Sequence, residues 1–426
     1  MVGNIIGTGV FMLPAALAPY GLSSLWGWSI TATGALLLAY VFAALTRALP
    51  HAGGPYVFTK LAFGEWAGFL IAWSYWVSVW VGSAAIATGT VSYLLRLLPA
   101  LDAHVAPYVT LAILWALTLV NCLGLRMAGA VQVVTTALKL LPLLAIAAFA
   151  LVQFGGDEFV AVRLEPVRLD SVNTAATLTL WALLGFESAT VPADRVRNAE
   201  VALPRAILAG TLLTALVCVV VCSAVQLSIP AQQLAQSNAP LADLARLWWG
   251  ESAAWWLTVF VVISGVGCLN GWILVQAEMP RAMAGQGAFP AVFARQSRFD
   301  TPLFGFVFTG GLVSALIVAN YSKTLVEVFT FMILIATSAT LIAYLACSLA
   351  AIRLAWRGEM GTDKLRFRLI VATAFCGALY ALWTLVGAGR EAVLWSLVLM
   401  LAGVPVYAYV RRKAASAAHR ESHSLQ

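Results

Sequence analysis

Charge is what this sequence has least of. Asp, Glu, Lys and Arg together make up 10% of 426 residues, where a soluble domain carries about 25%. A chain so poor in ionic side chains is not a soluble enzyme, a disordered segment or a nucleic-acid binder. Catalytic and metal-binding patterns are missing too. The four histidines, His51, His104, His419 and His423, fall in links or the tail, and no HExxH or Ser-His-Asp spacing occurs. The six cysteines form no CxxC pair, so no redox or zinc framework is expected. Cys218 and Cys222 share one helix face and read as packing. The sequence predicts no enzyme, no cofactor and no metal site. Basic residues are also lacking at the very start, so no signal peptide is expected. Gly265-x-Gly267-x-x-Asn270-Gly271 approaches a dinucleotide fingerprint, but it lies inside a long apolar run with no strand before it.

What is abundant is apolar residue, 62% of the chain. A bilayer core about 30 Å thick takes about 20 apolar residues as helix. Twelve segments meet that length: 1–19, 24–46, 66–95, 105–123, 127–152, 173–194, 204–227, 252–279, 302–320, 325–352, 368–388 and 392–410. They are too long and continuous for barrel strands of about 10 residues. The expected fold is therefore all-α, a polytopic membrane protein of 12 transmembrane helices. The longest polar links lie around 155–171 and 228–250, and neither holds a soluble domain. With the N-terminus placed inside, 18 of the 25 lysines and arginines fall in inner segments and six in outer ones. That alternating bias supports the count, puts both termini in the cytoplasm of a plasma-membrane protein, and accounts for the net charge of +7 as a topology signal. Only six residues precede Gly7, which predicts a native start upstream of Met1.

Irregular backbone survives at membrane depth only where it lines a cavity or is buried in protein. Two stretches invite a break. Gly3-Asn4-Ile5-Ile6-Gly7-Thr8-Gly9-Val10-Phe11 has two glycines around a threonine, and a break over Gly7–Gly9 would turn a half-helix N-terminus toward an anion. The competing reading is close helix packing through Gly3 and Gly7. Trp181-Ala182-Leu183-Leu184-Gly185-Phe186-Glu187-Ser188 sets a glycine beside an intramembrane carboxylate. These stretches lie in spans 1 and 6, the first of each five-span set, where an inverted repeat places its discontinuous helices.

The same stretches carry a likeness. With Ala52-Gly53-Gly54-Pro55-Tyr56, Tyr75-Trp76 through Trp80, Gly271-Trp272 and Gly287-Ala288-Phe289-Pro290, the chain resembles the amino acid–polyamine–organocation (APC) superfamily. It looks most like the basic amino acid/polyamine antiporters of the arginine/agmatine type. The resemblance implies the leucine-transporter type of fold, with inverted repeats over 1–152 and 173–352, two further helices over 366–410 and a cytoplasmic tail over 411–426. It implies a small amino acid or amine as partner, with protons, the bilayer and a homodimer as further ones. It implies a substrate carboxylate on the N–H groups of Thr8 and Gly9, and an ammonium on the carbonyls of Ile5, Trp181 and Leu184. Trp181 would close over the substrate and Trp272 would lie beneath it. Tyr75, Glu187 and Tyr344, with Trp272, match the inner gate. Where arginine-handling members have Asn, Met, Cys and Ser, this chain has Ser83, Ile86, Val79 and Ala336, so its side-chain pocket differs. Ser78, Thr337 and Thr340 offer replacement hydroxyls.

Two charges are expected inside the membrane. Lys139 lies 13 residues beyond Arg126, about 20 Å along a helix, and Glu187 lies 8 residues before Arg195, about 12 Å. An unpaired charge at that depth costs about 2.5–3.5 kcal/mol on insertion scales, so both are candidates for proton coupling. For Lys139 the alternative is a tie from span 5 to span 1. Glu278 and Glu327 read as interfacial. The expected function is a secondary active antiporter of amino acids or related amines working by alternating access. A proton symporter or uniporter of neutral amino acids is the alternative, and a non-transporting sensor or structural subunit the rival from another class.

Overall fold

The computed structural model describes residues 2–50, 53–100, 103–152, 167–191, 196–320, 323–361 and 363–424. Most of the polar link at 155–171 lies outside these residues, as do His51, Ala52 and Arg195, and the side chains of Arg126 and of the tail beyond Lys413 are not described. Among the described residues the secondary structure is helical, with no strand.

The helices in chain order are α1 (Val2–Ile5), α2 (Thr8–Leu17), α3 (Ser23–Ala48), α4 (Pro55–Phe63), α5 (Glu65–Leu97), α6 (Ala106–Cys122), α7 (Leu125–Val152), α8 (Leu169–Trp181), α9 (Ala199–Ser228), α10 (Ala231–Ala235), α11 (Pro240–Trp249), α12 (Glu251–Gly285), α13 (Leu303–Ala319), α14 (Leu325–Trp356), α15 (Lys364–Gly387), α16 (Arg390–Leu401) and α17 (Gly403–Ser424). Eight stretches are long and apolar enough to cross a bilayer, and Thr8–Tyr20, Ala106–Cys122 and Leu303–Ala319 are shorter apolar helices. Together with the interrupted segment from Leu169 to Thr190, they match the twelve expected spans one for one. Helices α4, α10 and α11 lie in the links. The α11 side is called outer here and the α4 side inner, following the lysine and arginine bias.

Helix pairing repeats itself. If α1–α2, α3, α5, α6 and α7 are matched in order with α8, α9, α12, α13 and α14, the packing of α5 on α14 becomes that of α12 on α7, and both occur. The pairs α3 with α9, α5 with α12 and α6 with α13 map onto themselves and also pack together. A set of five crossings is odd, so the second set must begin on the opposite side of the membrane. This is the inverted-repeat architecture, with α15 and α16–α17 added at the periphery. The last span, Arg390–Lys413, is mostly exposed, with only 11% of its apolar window buried.

Span 1 is broken, but one residue earlier than the sequence suggests. The interruption covers Ile6 and Gly7, with Gly7 extended at φ −118°, and Thr8 and Gly9 already belong to α2. Gly9 serves proximity rather than unwinding: a Cβ there would meet Ala182 Cα and Trp181 Cδ1 at 3.0 Å. Span 6 breaks as expected. Helix α8 ends at Trp181, and Gly185 at φ +116° turns the chain into a short 3₁₀ segment over Phe186–Thr190. Glycine alone adopts that conformation without steric cost. The two breaks face each other, since a Cβ on Gly185 would stand 3.4 Å from Ile5 N and 3.3 Å from Trp272 Cζ2.

Candidate functional site

A broken helix inside a membrane leaves carbonyls that water cannot satisfy. In span 1 several find a distant side chain. Lys139 Nζ donates to Gly3 O at 2.8 Å and to Ile6 O at 2.7 Å. Trp272 Nε1 donates to Asn4 O at 3.1 Å, and Cys268 Sγ lies 3.7 Å from the same oxygen. Pro14 has no N–H for the carbonyl four residues back, and that carbonyl, Val10 O, takes the Cys222 thiol at 3.6 Å. Phe11 O accepts from the Tyr93 hydroxyl at 2.8 Å. Cys222 therefore does more than pack, and Lys139, fully buried, clasps the inner half of span 1.

The N–H end of the break is different. Gly7 gives α2 no side-chain cap, so the first N–H groups of α2 have no partner within their own helix. The Thr8 hydroxyl beside them is buried and has no hydrogen-bond partner. Donors held this way at the positive end of a helix dipole form a site for an anionic group.

Across the cavity, the turn of span 6 holds a carboxylate. Glu187 is buried. It accepts from Tyr75 Oη at 3.2 Å, from the Gly185 N–H at 3.0 Å, and from Tyr344 Oη. Ser188 Oγ donates to Gly185 O at 2.6 Å and accepts from Asn4 Nδ2 at 3.3 Å, which joins the two breaks directly. Phe186 stacks on Tyr344 with ring centroids 5.1 Å apart.

One cavity lies between these elements. Its walls include Ile5, Thr8, Gly9, Ser78, Trp181, Leu184, Glu187 and Trp272, all predicted from the sequence. Tyr75 and Tyr344 stand behind Glu187, and Lys139 lies on the far side of the span 1 backbone. Ser83 is the correction. It is fully buried, its hydroxyl donates to Val79 O at 2.9 Å, and it does not line the cavity. It spends its polarity on its own helix, and the wall at this level of α5 is Val79, Gly82 and Ile86. Thr340 lines the cavity and Thr337 does not. Sequence reasoning missed Gly82 and Cys268. A Cβ on Gly82 would meet Trp181 Cη2 at 2.8 Å, so this glycine makes room for the indole. Cys268 sits one helical turn before Trp272, a spacing that could have flagged it.

Groups outside the cavity resolve simply. Glu278 pairs with Arg281 at 2.6 Å, and Glu327 closes a capping box with Thr324. The discarded fingerprint is helical, and its glycines let α12 approach its neighbours: Cβ atoms on Gly265 and Gly267 would clash with Thr90 and Thr135. Among the described residues no cluster of His, Cys, Asp and Glu is arranged to hold a metal.

The sequence has known relatives. A family model described as amino acid permease matches residues 1–409. A putrescine transporter of Haemophilus influenzae is 29% identical over 96% of this chain and 94% of its own length. An arginine/ornithine antiporter of Pseudomonas aeruginosa is 30% identical, covering 97% of this chain and 89% of its own. A cadaverine/lysine antiporter of Escherichia coli is 30% identical over 75% and 72%.

Proposed function

This chain belongs to the amino acid permease family, and from that membership we propose that it is a secondary active antiporter exchanging amino acids or related amines by alternating access. The observation that carries the reading is the unpartnered Thr8 hydroxyl beside the uncapped N-terminus of α2, buried in the wall of the cavity. A substrate carboxylate occupies this end. The ammonium group takes Ile5 O and the carbonyls at the end of α8. Each end of a half-helix then meets the charge its dipole favours. Tyr75, Glu187 and Tyr344 form the inner gate, with Trp272 as the floor and Trp181 as the roof.

The named relatives handle putrescine, arginine with ornithine, and cadaverine with lysine. Each of those substrates carries a basic far end. In this chain Glu187 is the one carboxylate lining the cavity, and two tyrosines and a backbone N–H already hold it. The far end of a substrate is left to the hydroxyl oxygens of Ser78 and Thr340 and to the Trp272 face, a cation–π contact of about 0.5–2 kcal/mol. This favours a compact primary ammonium, as in ornithine or lysine, over a guanidinium that needs planar, bidentate acceptors.

Two repeats over 1–152 and 173–352, two helices over 366–410 and a cytoplasmic tail over 411–426 complete the proposed organisation, with both termini inside. Lys139 is the coupling residue. Its ammonium holds span 5 to the inner half of span 1, and losing the proton loosens that clasp. A proton-coupled symporter is the second reading, and the same clasp favours it.

Purified protein in liposomes tests these readings. Vesicles preloaded with ornithine or lysine should take up the labelled compound many times faster than empty ones, and arginine should exchange more slowly. Equal uptake into empty vesicles would overturn antiport. Uptake into empty vesicles driven by an imposed pH gradient would favour symport.

A further inference from the structure

The transport scheme gives the buried phenol of Tyr93 no task. Tyr93 lies near the outer end of α5, fully buried. Its hydroxyl donates to Phe11 O in α2 at 2.8 Å and accepts from the Leu241 N–H at 3.1 Å. Leu241 is in the first turn of α11, whose N-cap residue is Ala239 and which has no side-chain cap of its own. Tyr93 supplies that cap from another helix. The rings of Tyr93 and Phe11 meet edge to face, 6.2 Å apart.

The neighbours of Tyr93 on α5 grip the same outer link. Ser92 Oγ donates to Asn238 O at 2.6 Å, and Arg96 pairs with Asp243 at 2.8 Å. Ser237 also holds Asp243. Of these α5 residues, Tyr93 is the one whose hydrogen bonds reach both α11 and α2, the half-helix whose N-terminus faces the cavity.

The inner side repeats the device. Helix α4 occupies the link after span 2, as α11 occupies the link after span 7, and each starts with a proline, Pro55 and Pro240. Just before α4, the Gly53 N–H donates to Val191 O at 3.2 Å, and Gly54 lies so close to Thr190 that a Cβ would meet its hydroxyl at 2.3 Å. The inner link thus holds the end of span 6, and the outer link holds span 1 through Tyr93.

We infer that Tyr93 is a positioning residue that couples the outer cap, α11, to the substrate-facing half-helix of span 1, so that substrate held at Thr8 and Gly9 draws the cap closed. This rests on the transport reading. A substrate carboxylate fixes the N-terminus of α2, the helix carries that position one turn on to Phe11 O, and the Tyr93 hydroxyl passes it to the first turn of α11. Removing the hydroxyl leaves the binding end intact and breaks this hydrogen-bonded tie between the cap and α2.

The test uses Tyr93→Phe in the full chain, which keeps the ring and removes only the hydroxyl, with Asp243→Asn and the double variant beside it. Lysine and ornithine serve as probes. Exchange turnover in liposomes should fall about tenfold or more in Tyr93→Phe, the scale of the two buried hydrogen bonds it loses. Equilibrium affinity for the probes should stay within about twofold. The double variant should be little worse than Tyr93→Phe alone, because both changes loosen the same cap. Unchanged turnover overturns the inference. So does a parallel loss of affinity and thermal stability, which would mark a purely structural tyrosine. A second readout stands apart from transport: hydrogen–deuterium exchange over 8–17 and 240–249 should rise together in Tyr93→Phe. If the unaltered protein exchanges none of the probes, the transport reading fails, while joint loosening of the two helices still decides the tie. Loosening of 240–249 alone overturns it.

Discussion

At the scale of single residues, the site is set by groups that satisfy backbone left open by the two breaks. Gly185 is the most constrained. A side chain there adopts φ +116° and meets Trp272 and Ile5 at 3.3–3.4 Å. Gly185→Ala should lower the thermal midpoint of the detergent-solubilised protein, reflecting about 1–2 kcal/mol of strain, and should abolish exchange; an alanine variant with normal turnover would show that the turn relaxes freely. Lys139 is the most informative about coupling. In the clasped form its ammonium binds Gly3 O and Ile6 O. On the proposed coupling, loss of that proton loosens the clasp, so exchange should run faster at the alkaline end of a pH series than at the acid end. Lys139→Arg keeps its charge throughout and should stay at the slow, acid-side rate at every pH. Lys139→Met has no proton to lose and should give a flat profile. Initial exchange rates at a series of symmetrical pH values check all three, and a methionine variant with the normal profile would leave Lys139 a structural tie. The residue types at these positions could be read from the sequence because intramembrane charges are rare and expensive. Ser83 could not be placed, because a serine on a helix can turn its hydroxyl back to its own carbonyl ladder, and composition does not say which way it turns.

At the scale of elements, span 1 is held by donors from four other spans. The sequence marks the break, since Gly7 and Pro14 both disturb a helix. It does not say which carbonyl each donor takes, because those pairings join residues more than eighty positions apart. The proline and the thiol make a testable unit. Cys222→Ala leaves Val10 O without its donor and should cost about 1 kcal/mol, at the weak end of buried hydrogen bonds because sulfur is a poor donor. Pro14→Ala restores the N–H that Val10 O lacks. In that background, Cys222→Ala should cost much less. A double-mutant cycle on thermal stability measures the difference, and strict additivity would mean that the thiol and the carbonyl do not interact. The one-residue shift of the break has the same origin: glycines mark both freedom and close approach, and only the packed neighbours, Ala182 and Trp181 against Gly9, tell the two apart.

At the scale of the whole molecule, span count and fold class were legible because apolar length and basic asymmetry are global signals, robust to error at any one position. Orientation is tested directly. With the termini inside, Lys323→Cys in the link before α14 should react with an impermeant maleimide on intact cells, and Lys364→Cys at the start of α15 only after the cells are opened. The reverse pattern would invert the topology. The paired packing of the two five-helix sets carries a consequence for energy. If the two sets were identical in sequence, their inward-facing and outward-facing arrangements would be related by a two-fold rotation and equal in free energy, and, α15–α17 aside, the resting protein would divide evenly between them. Any preference must come from places where the sets differ. The link helices are such a place: among the described residues, α4 holds span 6 by one backbone hydrogen bond and close packing, whereas α11 holds span 1 through a phenol and adds an ion pair to α5. A difference of about 1.4 kcal/mol between these two fastenings already sets a tenfold imbalance of populations. Whichever fastening holds more strongly when no substrate is bound decides which side of the idle transporter stays shut.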